Sequence, residues 1–301
     1  MQKLIIGCGY LGGRVADIWI AQGHQVHALT RSSERATELS RRGINPIIGD
    51  LCDLASLPDL PAVETILFAV GYEKASGRSR QQVQLTGLQH VLARVANADR
   101  LVYISSSSVY GQSAGEWVDE TSDCLPVQPG GVSCLETERW LMSASPDRAN
   151  VAQANVLRLS GIYGPERLLS RIETLQSGET LSGSGTEWLN LIHVDDAAAA
   201  VIACELHGSP NQTYLVSDDR PISRADYYGL LASLVGAPPP RFDPGSSPSR
   251  GSGGINKRCR NKRLREELQV ALKFPTITAG LPHALAASAG PPSGPTPRPT
   301  E

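Results

Sequence analysis

The start of the chain constrains its fold more than any other feature. Lys3-Leu4-Ile5-Ile6 runs into Gly7-Cys8-Gly9-Tyr10-Leu11-Gly12, and helix-spaced apolar residues continue through Leu11–Gln22. A short apolar segment that ends in G-x-G-x-x-G and opens a helix is the pattern of a strand–turn–helix that cradles a pyrophosphate. Gly7 permits the tight turn, Gly9 lets the backbone approach the anion, and Gly12 lets the helix pack closely on the sheet. The helix N-terminus adds free N–H groups and a favourable dipole. The alternative is a purely structural turn.

The rhythm continues through the first half. Lys3–Ile6, Gln25–Leu29, Pro46–Ile48, Thr65–Val70, Leu101–Ser105 and Asn155–Leu159 are brief and apolar, as strands buried on both faces are. Between them Ser33–Arg42, Arg80–Asn97 and Val132–Met142 carry helix-spaced apolar residues. Alternation of this kind predicts right-handed βαβ crossovers and a Rossmann-type, doubly wound parallel α/β sheet. Residues 1–165 then form a dinucleotide-binding domain, with 190–217 packing back on it, and 166–283 a smaller C-terminal α/β substrate region. Helices are expected at Leu168–Ser177, Ala197–Leu206 and Ala225–Val235, and a strand at Thr213–Ser217; Asp195 or Asp196 is read as a helix cap. Pro238–Gly254 reads as a loop, and the Pro-rich tail from 284 to 301 as disordered.

At the end of the second strand, where an NAD site places a carboxylate on the ribose, this chain has Thr30-Arg31-Ser32. A guanidinium and two hydroxyls suit a 2′-phosphate, which favours NADP over NAD. Arg31 otherwise lies along the domain surface or stacks on the adenine. Arg14 either adds to the same electropositive pocket or is a solvated arginine.

Further blocks come in order: Gly49-Asp50-Leu51, Ala69-Val70-Gly71, Ile104 to Gly111 with its run of serines, Leu157 to Pro165, and Leu191 to Ala197. On these motifs the chain resembles the extended, epimerase/dehydratase-like branch of the short-chain dehydrogenase/reductase superfamily. Asn256-Lys257-Arg258 and Phe274-Pro275 are similar to its atypical members. The resemblance implies an NAD(P) site including Asp50 and Leu51, Ala69, Val70 and Gly71, and Ser105. It also implies Ser106 as the position of the family's catalytic serine. In active members a Tyr and a Lys four residues later share one helix. Here Pro129-Gly130-Gly131-Val132-Ser133-Cys134-Leu135 puts Gly130 at the Tyr position and Cys134 at the Lys position.

The chain has five lysines against 23 arginines, and none lies between Lys74 and Lys257. No tyrosine is followed by Lys at the fourth residue, so no local substitute for the pair exists. Tyr110, Tyr163 and Arg167 are candidate substrate contacts, with strand-end anchoring the other reading of Tyr110. Cys134 reads as a small buried thiol, and His193 as a core histidine rather than part of a metal site. Three functions stand: an NAD(P)-dependent oxidoreductase or epimerase on a nucleotide-sugar-like or small hydroxyl/carbonyl substrate, a non-catalytic NADP-binding sensor, and an assembly subunit. A net charge of -2 argues against a nucleic-acid partner. No run of apolar residues is long enough for a membrane span. Six scattered cysteines without a C-x-x-C pair and a short apolar N-terminus fit a cytoplasmic protein. A homodimer is compatible with all of this.

Overall fold

The structure, a computed structural model, describes residues 1–143, 150–167, 172–246 and 254–288. Seven strands form one parallel sheet: β1 (Gln2–Ile6), β2 (Gln25–Thr30), β3 (Asn45–Ile48), β4 (Val63–Phe68), β5 (Ala98–Ser106), β6 (Val151–Leu159) and β7 (Thr213–Val216). Their order is β7-β6-β5-β4-β1-β2-β3. The strand order reverses between β1 and β4, which opens a crevice at the carboxyl ends of those two strands, the usual ligand position in an open α/β sheet.

Helices cover both faces, as an all-parallel sheet requires. They are α1 (Gly12–Ala21), α2 (Ser33–Arg41), α3 (Gly87–Arg94), α4 (Pro129–Met142), α5 (Ile172–Gln176), α6 (Val194–His207), α7 (Arg224–Val235), α8 (Lys262–Glu266) and α9 (Ile277–Ser288). One face buries Val15, Trp19, Leu39, Ala197 and Val201 from α1, α2 and α6. The other buries Leu88, Val91 and Leu141 from α3 and α4. Beneath the sheet, at its amino-terminal edge, buried Lys3 bonds Glu205, which also accepts from Trp19 at 2.8 Å and Thr65 at 2.5 Å. That network ties α1, α6, β1 and β4 together.

A separate apolar cluster packs α7 and α9 on Tyr163, Leu175 and Leu191. Short pairings brace it, Gly161–Tyr163 with Leu191–His193 and Trp188–Leu189 with Ile222–Ser223. Helix α9 corrects the expectation of a disordered tail from 284: residues 284–288 complete this helix, and the rest of the tail lies outside the described residues. Pro282 inside it argues against a helix in sequence. Burial of Ile277, Leu281 and Ala284 on one face outweighs that local penalty. The segment expected to be one helix from Arg80 to Asn97 is interrupted by a π turn at Gln82–Thr86. Gly87 comes next, at a close contact with the side chain of Leu51. Of the helix expected at Leu168–Ser177, residues 172–177 lie within the described residues and contain α5. Part of the Pro238–Gly254 loop lies outside them. Among the described residues no helix is long and apolar enough to cross a membrane.

Candidate functional site

The glycine loop has a distinct physical reason at each glycine. Gly7 sits at φ +97°, where an L side chain is strained, and a Cβ there would lie 2.5 Å from the Ala69 carbonyl oxygen. A Cβ on Gly12 would lie 2.3 Å from the Gly7 carbonyl oxygen, so α1 could not approach the loop with any larger residue. Around Gly9 nothing of the chain lies within 4 Å of that position. The loop is closed below, against β4, and open above, where an anion would approach the start of α1.

A cavity of about 260 Å³ adjoins the loop, lined by Gly7, Thr30, Arg31, Asp50, Leu51, Val70, Gly71 and Arg78 among others. The ends of β1, β2, β3 and β4 thus converge as the motifs predict. Asp50 accepts the Cys52 N–H at 2.9 Å, and Arg78 reaches its other oxygen at 3.5 Å. Arg31 stands 3.8 Å from Glu73, and both side chains are more than half exposed. An exposed pair of this kind is worth about 0–1 kcal/mol, so Glu73 leaves the guanidinium available. The Ser32 hydroxyl accepts the Arg35 N–H at 3.1 Å and caps α2; its oxygen is a structural acceptor first.

Arg35 was not singled out by sequence reasoning. Its guanidinium donates to the Cys8 carbonyl at 2.8 Å and pairs with Glu38 at 2.6 Å, which fixes it between α2 and the glycine loop. The signal was available: an arginine in the first turn of a helix opposes the macrodipole and needs a compensating partner. Arg14 corrects its sequence reading. It bonds Asp195 at 3.1 Å and the Tyr10 carbonyl at 2.8 Å, on the α6 side of α1, and does not line the cavity. Tyr10 lies between the guanidinium groups of Arg14, 4.4 Å from its ring, and Arg167, 4.7 Å away, and donates to the Pro165 carbonyl at 2.8 Å. Arg167 is exposed beside the glycine loop.

At the end of β5 the serines divide by role. Ser105 is buried and donates to Glu138 of α4, which corrects its reading as a cofactor contact. Glu138 also takes the Arg158 guanidinium at 2.7 and 3.1 Å, and Arg158 donates to the Tyr110 hydroxyl at 2.8 Å. Tyr110 is fully buried, its phenol pushed well above its ordinary range by that burial, so the substrate-contact reading is corrected in favour of the strand-end anchor. Ser106 is half-buried, and its hydroxyl accepts the Ser108 N–H at 3.1 Å, which leaves its own proton free to donate. Helix α4 packs directly on this turn: a Cβ on Gly131 would lie 2.2 Å from the Ser108 carbonyl oxygen.

Gly130 and Cys134, the α4 residues expected at the Tyr and Lys positions, have different surroundings. Cys134 is buried against Gln84, its thiol raised by desolvation. Above Gly130 lies Arg80, whose guanidinium stacks 3.9 Å from the Tyr72 ring. Neither Gly130 nor Cys134 supplies a side chain able to exchange a proton near neutral pH. Tyr163 is fully buried, with its hydroxyl against Gly280 of α9, which corrects its reading as a substrate contact. His193, not Asp195 or Asp196, caps α6, accepting the Asp195 N–H at 3.2 Å. Asp196 instead accepts the N–H groups of Lys273 at 2.7 Å and Phe274 at 2.9 Å. His193, Asp195 and His283 bring donor atoms within 4.8 Å of one another, but Arg14 and Lys273 flank Asp195 at 3.1 and 4.0 Å. Two cations and a helix N-terminus oppose a third positive charge there.

The glycine loop, serine turn and crevice stand in the order of one family, whose description, NAD dependent epimerase/dehydratase family, matches residues 4–217. The chain belongs to that family. Among its relatives, Protein YeeZ of Escherichia coli strain K12 is 27% identical over 286 residues, covering 91% of this chain and 97% of its own length. A 3-diazoavenalumate denitrifying reductase of Streptomyces sp is 27% identical over 268 residues, covering 81% and 84%. The UDP-glucuronic acid 4-epimerase of Bacillus cereus, solved in complex with NAD, shares the fold at TM-score 0.73 and 17% identity, covering 96% of this chain and 99% of its own. As a member of the epimerase/dehydratase family the chain has a nicotinamide dinucleotide as its expected cofactor. The open space over Gly9 and the adjoining cavity fit one.

Proposed function

We propose that this chain is an NADP(H)-dependent oxidoreductase acting on a small hydroxyl or carbonyl compound, without the usual Tyr–Lys acid–base pair. The carrying observation is the end of β2, where the chain has Thr30-Arg31-Ser32 instead of a carboxylate: Arg31 lines the cavity, with exposed Glu73 3.8 Å away, and Arg35 stands on the Cys8 carbonyl beside it. In this reading the N–H groups of Tyr10 to Gly12 take the pyrophosphate, the Gly9 N–H being held by the Gly7 carbonyl at 2.9 Å, Asp50 and Leu51 take the adenosine, and Arg31 and Arg35 the 2′-phosphate. Val70 and Gly71 lie beneath the cofactor. The bound cofactor supplies hydride transfer. Ser106 donates a hydrogen bond to the substrate oxygen and orients it. With no phenol on α4, Ser106 keeps its proton and gives only the hydrogen bond, and the proton that the substrate oxygen gains on reduction comes from solvent water, which leaves hydroxide to the bulk buffer. Residues 166–283 form the substrate side of the crevice.

The test is titration of the tryptophan fluorescence with NADPH and with NADH. NADPH is expected to bind at least about tenfold tighter, each charge-assisted contact to the phosphate contributing about 1.5–3 kcal/mol. Arg31→Glu and Arg35→Gln should each remove most of the preference and spare NADH. Equal affinity for both cofactors in the unaltered protein would refute the 2′-phosphate reading. Loss of label from deuterated NADPH across a carbonyl panel tests turnover. Tight binding with no transfer on any member would favour the sensor function.

A further inference from the structure

Beyond the serine turn, two short strands, Glu116–Val118 and Lys257–Cys259, lie side by side. Alternation along them turns Val118 and Cys259 into an apolar cluster with Val109 and Tyr110, and leaves Trp117 and Arg258 on the outer side. There the Arg258 guanidinium lies 4.9 Å from the Trp117 ring and 5.3 Å from the Trp188 ring. Its Nε donates to the Gly115 carbonyl at 2.8 Å, where the chain turns at φ +83°. Arg260 approaches Trp117 at 5.5 Å.

This is an unusual state for an arginine. Two indoles and one carbonyl fix the plane of the guanidinium, and its two terminal nitrogens make no hydrogen bond or ion pair among the described residues. The neighbouring carboxylates are committed elsewhere. Glu116 accepts the Ala114 N–H at 2.8 Å, Asp119 holds Thr121 at 2.6 Å, and Glu187 faces Arg224 at 3.5 Å. The preceding residue, Lys257, is buried, and its ammonium donates to the Tyr110 carbonyl at 3.1 Å, with no ion pair to a carboxylate among the described residues. Three cations thus stand within four residues on a chain of net charge -2, and Asp119 offsets part of the Arg260 charge. A guanidinium fork held rigid and left open is the arrangement that recognises a planar or tetrahedral oxyanion, because little side-chain entropy remains to be lost on binding. The Lys257–Tyr110 bond joins this cluster to the turn that carries Ser106.

We propose that Arg258, held between Trp117 and Trp188, anchors an oxyanion of the substrate, a carboxylate or a phosphate, so that the substrate is an anionic hydroxyl or carbonyl compound. The substrate assignment rests on the oxidoreductase reading above; the anion site itself does not. Trp117 is 46% exposed, so its emission reports the site. The probes are inorganic phosphate, benzoate and, as a control at equal ionic strength, chloride. Phosphate or benzoate should produce a saturable fluorescence change in the millimolar range, and chloride none; which of the two saturates distinguishes a phosphoryl from a carboxylate group. Arg258→Gln should weaken that binding at least about tenfold, equivalent to about 1.4 kcal/mol. Arg258→Lys, which keeps the charge and loses the fork, should also weaken it several-fold. Arg260→Gln should change it less than either, and NADPH affinity should stay unaltered in all three. If Arg258→Gln fails to fold, Arg258→Lys carries the test alone. No saturation with either anion, or equal affinity in the Arg258 variants and the unaltered protein, overturns the proposal. A loss of NADPH preference would strike the cofactor reading instead.

Discussion

Replacing Glu138 by Gln tests how the serine turn is held. The carboxylate sits on α4 with a side chain 5% exposed, and the partner Arg158 side chain on β6 is 9% exposed. Arg158 gives Glu138 hydrogen bonds at 3.2, 3.1 and 2.7 Å and gives Tyr110 one at 2.8 Å. Gln keeps the shape and one acceptor but removes the charge, leaving a buried guanidinium without a counter-ion. One-sided loss of a buried pair costs about 3–5 kcal/mol. Retention of one acceptor places Glu138→Gln near the lower end. In a chain of this size that is a fall in Tm of roughly 5–8 °C. The assay is urea unfolding followed by circular dichroism, with Arg158→Met and the double variant completing a cycle. Coupling of at least about 1.5 kcal/mol is expected, because the double variant leaves no stranded charge. NADPH affinity should change little, since neither residue lines the adenosine cavity. A Glu138→Gln protein within about 0.5 kcal/mol of the unaltered one, or a cycle with no coupling, would refute the claim that this pair fastens β5, β6 and α4.

Gly280→Ala should lower Tm by several degrees, because its Cβ would lie 2.0 Å from the Tyr163 hydroxyl oxygen; adding Tyr163→Phe should recover part of the loss, and no recovery would remove that contact as the cause. For pH, burial raises the Asp218 carboxyl to about 8, while burial lowers His193 to about 4. Between about pH 4 and 6.5 folding leaves Asp218 holding a proton that the unfolded chain releases, and His193 lacking one that the unfolded chain binds, so the two slopes oppose each other. From about pH 6.5 to 8 only Asp218 remains, and stability should fall as pH rises, by at most about 1.4 kcal/mol per pH unit. Urea unfolding across that range should show the decline, and Asp218→Asn should flatten it; a decline that persists in Asp218→Asn would assign it to another group.

The glycine spacing, the alternation of buried strands with amphipathic helices and the absence of Lys between 74 and 257 were legible in sequence, because each is local. The turn at Gly7, the apolar runs of β1, β2, β4, β5 and β6 and the identity of the residue four positions after Gly130 are read from neighbours along the chain; β3, expected to be buried on both faces, is instead the edge strand and has no buried residue. Where side chains from distant segments meet was not legible. Tyr110 and Tyr163 carry phenols that suit a substrate site, yet Arg158, 48 residues on, claims the first and α9 covers the second. Arg14 and Arg35 look alike in sequence, each in the first turns of a helix. Only the packing of α6 against α1 sends Arg14 to Asp195, while Arg35 reaches the glycine loop. Helix α9 was hidden by Pro282, whose local penalty is outweighed by burial that only the tertiary structure provides. Sequence by itself thus determined the parallel α/β architecture and the glycine loop, and it carries the expectation that Gly130 and Cys134 stand at the family's Tyr and Lys positions. Tertiary structure decided which charges pair inside the protein, as Arg158 does with Glu138, and which guanidinium ends, as at Arg258, make no bond among the described residues. Charge pairing depends on distances across the fold, which no spacing along the chain encodes.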